Sequence, residues 1–156
     1  MGLTKFYDLI PELESWGDLN GHPCEPSTWL CGVGSFDHAI AYTTLFWPEF
    51  VEHDGCVFID DAPDIEDYKS WLKSTDGEKH RVESVLNHIH LADLFSGGKP
   101  TVAQLEYLGE KIQRMWQAKA NAEFPGRNVV VEFYRGSAED LVEYQVTLFQ
   151  APTDVT

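Results

Sequence analysis

Apolar residues recur every three or four positions along much of this chain and alternate with polar ones in two shorter stretches near its end. The most regular helical pattern follows Pro100, where Val102, Leu105, Leu108, Ile112, Met115, Trp116, Lys119 and Ala120 mark one stripe. Thr101 and Gln104 supply a capping-box pair at its start, and F-P-G at 124 to 126 stops it. A second helix is predicted from Ser35 to Pro48, with Phe36, Ala39, Ile40, Thr43, Phe46 and Trp47 on its face. Asp64 caps a third, whose apolar positions are Ile65, Tyr68, Trp71 and Leu72. A fourth is predicted over about 77–90 through Val82, Val85, Leu86 and Ile89, and Pro11 fits the first turn of a short helix ending at Trp16. The turn-forming residues of 17–28 predict a loop.

Period-two alternation predicts strands over about 128–135 and 142–150, joined by a loop that suits an antiparallel hairpin. D-G-C-V-F-I, residues 54 to 59, reads as a turn followed by a short apolar strand over about 55–60. A two-stranded hairpin is marginal alone, so this segment is expected to add a third strand, with the long helix covering one face. The expectation is an α+β fold of about four or five helices on a small, mainly antiparallel sheet of about three strands. A chain of 156 residues without repeats or long linkers suits one globular domain.

Charge changes this picture most. The net charge is −15, and the first 68 residues hold 14 acids against a single base, Lys5, so −13 of it lies there. Such a field repels nucleic acid and anionic membranes and attracts basic surfaces, although acids also serve plain solubility. No apolar run approaches the roughly 18 residues of a membrane helix, and the N-terminus lacks the pattern of a signal peptide. Phe6 stands where a myristoylation motif asks for Ser or Thr. Three cysteines without C-x-x-C fit a reduced, cytoplasmic protein.

Several residue sets bear on chemistry. His88 and His90 are spaced like metal ligands, but on a helix they point about 200° apart and only an extended backbone brings them together. The helical phase therefore separates them, with His90 toward the core and His88 toward a polar surface, unless the helix ends before Asn87. His22, Cys24, Cys31 and His38 have the residue types of a zinc site without its paired knuckles, and the plainer reading makes Cys24 and Cys31 small buried hydrophobes. Cys31 enters a predicted helix start, which lowers a thiol pKa, yet no base is assigned to it. Gly32 and Gly34 match no phosphate-binding motif. The cluster Asp60, Asp61, Asp64, Glu66 and Asp67 lacks the ligand spacing of a calcium loop and fits a solvated negative face better. No cofactor is expected.

Four segments, F-W-P-E-F-V-E-H-D-G-C-V-F at 46 to 58, L-N-H-I-H-L-A-D-L-F at 86 to 95, M-W-Q-A-K-A-N-A-E-F-P-G-R-N-V-V-V-E-F at 115 to 133 and D-L-V-E-Y-Q-V-T-L-F-Q at 140 to 150, resemble a group of small uncharacterised bacterial proteins. The resemblance implies a bacterial cytoplasmic setting and supplies no catalytic residues. The first functional expectation is a non-enzymatic module, of the immunity-protein or antitoxin kind, that docks on a basic protein through Glu49, Glu52, Asp54, Asp60, Asp61, Asp64, Glu66 and Asp67. Trp29, Trp47 and Phe50 are the candidate aromatic anchors. The alternative is a small metal- or cysteine-dependent hydrolase drawing on His22, Cys31, His38, His53, His88 and His90, and a third reading is a subunit of a homo-oligomer or larger assembly.

Overall fold

The computed structural model describes residues 4–61 and 63–152, and the chain divides into two compact units, residues 1–42 and 43–156. The first unit is helical: α1 (Thr4–Leu9), α2 (Glu12–Asn20) and α3 (Pro26–Val33), followed by α4 (Phe36–Phe46), which leads into the second unit. The loop expected over 17–28 is largely helix. Trp16 does not end α2; Gly21 does, adopting the left-handed φ of 70° that stops a helix. Pro26 then opens α3 at its first turn, where a missing N–H costs nothing. Turn-forming residues thus mark the two helix ends.

In the second unit β1 (Phe50–His53) and β2 (Cys56–Ile59) form a hairpin, turned by Asp54 and Gly55 at positive φ of 50° and 79°. Helix α5 (Ile65–Ser74) follows, with the Asp64 carboxylate accepting the N–H groups of Glu66 (2.8 Å) and Asp67 (3.4 Å). Then come α6 (Lys79–Leu86), β3 (Ile89–His90), α7 (Val102–Glu123), β4 (Val129–Tyr134) and β5 (Gln145–Gln150). Seven α-helices stand among the described residues, more than the four or five expected.

The α+β class holds, and the strand pairing differs from expectation. The antiparallel sheet containing β4 and β5 takes β3 as its third strand, in the order β3-β5-β4, while the 56–59 segment pairs with β1 in a separate two-stranded sheet. The reason lies at the C-terminal end of α6, in Glu83 on the helix and Asn87 just past it. Buried Glu83 accepts the N–H of Val57 (2.7 Å) and of Gln150 (2.8 Å), and Asn87 accepts from Ile59 N–H (3.0 Å) while donating to the carbonyls of Val57 (2.8 Å) and Leu148 (3.0 Å). Two side chains one helical turn apart satisfy the facing edges of β2 and β5 in place of a direct strand ladder.

Helix α7 covers the opposite face of the β3-β5-β4 sheet. Leu105, Ile112, Trp116 and Ala120 pack with Val129, Val131, Phe133, Val146 and Leu148 in the main core, and the Trp116 indole donates to Leu45 O at 2.8 Å. Met115, predicted on this stripe, lies at its exposed margin. Lys119 is buried as predicted from its phase, its ammonium 2.5 Å from Glu123 and set over the rings of Trp47 and Phe50. No helix among the described residues is long and apolar enough to cross a membrane.

Candidate functional site

The acids expected to form one face fall into two groups. Four have partners within the chain: Glu52 meets Arg127, Asp54 meets Lys79 at 3.0 Å and accepts the Tyr68 hydroxyl at 2.9 Å, Asp64 caps α5, and Glu66 meets Lys69 at 3.2 Å. Glu49, Asp60 and Asp61 gather instead at the open end of the β1–β2 hairpin, and Asp67 is exposed on the first turn of α5. Asp60 N–H donates to Glu49 O at 2.8 Å, and Asp60 holds a left-handed φ of 67° that sets it beside both neighbours. Among the described residues no cation lies within ion-pair reach of these three carboxylates. Partial burial, then the charges of Asp61 and Glu49, push the Asp60 carboxyl above the usual range. Trp47, half-exposed, precedes the cluster by two residues. Phe50 is less exposed, and Trp29 belongs to the first unit, where its indole donates to Glu12 at 3.2 Å.

The opposite, turn end of the hairpin is a closed polar network. Hydrogen bonds from Lys79 and Tyr68 hold the Asp54 carboxyl below its ordinary value, and burial pushes the Tyr68 hydroxyl and the Cys56 thiol up. His53 packs edge-on to the Tyr68 ring at 5.2 Å. A fully buried, protonated thiol makes Cys56 a poor nucleophile.

The two histidines behave differently from the helical expectation. Helix α6 ends at Leu86 because Asn87, its side chain committed to the strand edges, leaves the helical path at φ −96°, ψ 5°. His90 therefore lies on extended β3, and the His88 and His90 rings stand 4.9 Å apart, edge to face. The assignment of His90 to a core-facing helix position and of the pair to separate surfaces is corrected. Each Nδ1 meets a backbone carbonyl, Val85 O for His88 and Val142 O for His90 (2.7 Å). His88 also borders an open cleft of about 320 Å³ with Ser84, Val85, Tyr134, Gln145 and Thr147.

In the first unit Cys24 is buried and Cys31 is exposed on α3, correcting the expectation that both are buried. His22 borders a second open cleft of about 460 Å³ with Glu14 and Asp18, and His38 lies on α4. Among the described residues no three His, Cys, Asp or Glu side chains converge as metal ligands, so His22, Cys24, Cys31 and His38 do not assemble the four-ligand site their types suggested. The structural importance of Glu83 and Asn87 was missed from sequence, although two polar residues spaced by four beside the apolar Val82 and Leu86 were the available signal. Comparison with family models, curated proteins and solved structures finds no match to this chain.

Proposed function

We propose that this protein is a non-enzymatic binding module that docks on a basic protein surface, in the manner of an immunity protein or antitoxin-type inhibitor acting in a bacterial cytoplasm. The observation that carries the reading is the Glu49, Asp60 and Asp61 cluster: three carboxylates without a cation in ion-pair reach among the described residues, with the half-exposed Trp47 two residues before Glu49. Their mutual repulsion is relieved when a partner supplies Lys or Arg, so the gain appears only in the complex. Trp47 supplies an aromatic anchor of the type that dominates interface energy, and the surrounding −15 chain steers a basic partner during approach. Asp67 and the solvent sides of Asp64 and Glu66 extend the face along α5, while Glu52 and Asp54 are committed to Arg127 and Lys79.

The test is capture from the native host at low and at high salt, with Glu49→Lys/Asp61→Lys beside the parent protein. A specific basic partner, lost at high salt and lost with the double variant, is the expected result. A partner retained equally by both proteins at both salts would exclude this face.

A further inference from the structure

His88 and His90 are left unused by the docking reading, and their geometry has a direction. A carbonyl oxygen only accepts, so the contacts to Val85 O and Val142 O place a proton on each Nδ1, and in the neutral ring each Nε2 is then the lone-pair nitrogen. This is the arrangement in which metal-binding histidines are held, the far nitrogen oriented by a backbone acceptor. A zinc ion about 2.0–2.1 Å from Nε2 sits about 3.2 Å from the ring centre, so two imidazoles on one tetrahedral ion have centres roughly 5 Å apart. The observed separation is 4.9 Å.

The surroundings favour a cation over an anion. His88 follows the C-terminal end of α6, where the helix dipole is negative and no basic side chain lies in the last turn. His90, Gln145 and Tyr134 are direct cross-strand partners and so share one face of the sheet. The Tyr134 hydroxyl donates to Glu132, which brings a carboxylate to that same face.

We propose that His88 and His90 form an open two-histidine site for a borderline divalent transition metal of the zinc class, bound through the two Nε2 atoms. Since no third His, Cys, Asp or Glu converges there among the described residues, water or a ligand entering from the cleft that His88 borders completes the coordination. Imidazole donors suit zinc, copper and nickel and discriminate against magnesium and calcium.

The test titrates Zn²⁺ into the untagged 156-residue chain, read by calorimetry and by long-range proton–nitrogen spectra of the imidazoles. Expected are the Nδ1–H tautomer at both residues before addition, one saturable equivalent of zinc, and movement of the His88 and His90 Nε2 resonances. His88→Gln and His90→Gln are each expected to weaken binding at least tenfold, with His53→Gln unchanged. The spectra of the unaltered protein decide the matter even if a variant misfolds. No saturable binding, resonance changes confined to other histidines, or Gln variants that both bind zinc as tightly as the parent would overturn the site.

Discussion

Glu83 is a carboxylate with no exposed surface and, among the described residues, no cation in ion-pair reach, which would be a severe penalty in an apolar setting. It is retained because Val57 N–H, Gln150 N–H and the Gln150 side-chain amide all donate to it. Replacing it with Gln keeps one acceptor oxygen and turns an NH₂ group toward an N–H donor. Glu83→Gln is therefore expected to lose about 1–3 kcal/mol of stability, and Glu83→Ala, which abandons all three donors, more. Denaturant unfolding measures both, and a Gln variant as stable as the parent would contradict the bonding described. The cysteines offer a second check at this scale. Cys31 is exposed, whereas Cys56 is fully buried with its thiol pKa pushed up by burial, so native-state alkylation should label Cys31 first and leave Cys56 protected until unfolding.

At the level of elements, α7 meets β4 at close range at Gly109. A Cβ placed there would lie 2.3 Å from the Phe133 ring, inside the sheet-facing stripe. Alanine improves helix propensity by up to about 1 kcal/mol, but overpacking costs about 1–3 kcal/mol, so Gly109→Ala is expected to lower the melting temperature. An unchanged or higher melting temperature would mean that Phe133 moves aside freely. Helix α7 was legible because stripe, cap and stop agree over its whole length: Thr101 and Gln104 form the capping box and Phe124 ends the helix. The β4–β5 hairpin was legible for the same reason, its alternation leaving Val129, Val131 and Phe133 on the core side. The partner of β2 was not legible, because strand edges carry no record of what covers them, and here the cover is Glu83 on α6 together with Asn87 just past its end. The histidine pair failed to show itself for a linked reason. Asn87 ends α6 through bonds to residues 30 and 61 positions away, and local periodicity contains no trace of these.

Over the whole molecule, the carboxylates pull stability in opposite directions. Asp54, lowered by its bonds to Lys79 and Tyr68, favours the fold above the ordinary carboxylate pKa, and that contribution is lost as pH falls through its depressed folded value. Asp60 is raised instead, by partial burial and by Asp61 and Glu49. The folded state then holds more protons than the unfolded one between the ordinary carboxylate pKa and the raised value, so stability falls as pH rises through that window and stays reduced above it. Asp60→Asn removes the penalty, and asparagine tolerates the left-handed φ of 67° at this position. Because the site is exposed and screened, the expected gain at neutral pH is small, about 0.5 kcal/mol, and it should vanish below the ordinary carboxylate range. The same substitution deletes one carboxylate of the cluster assigned to a basic partner, so it should weaken capture of that partner and flatten its salt dependence. Stability and docking are thereby predicted to move in opposite directions in one variant. Parallel measurement of its melting curve across pH and its partner affinity across salt checks both, and a variant that loses stability while keeping full affinity would show the cluster to be structural.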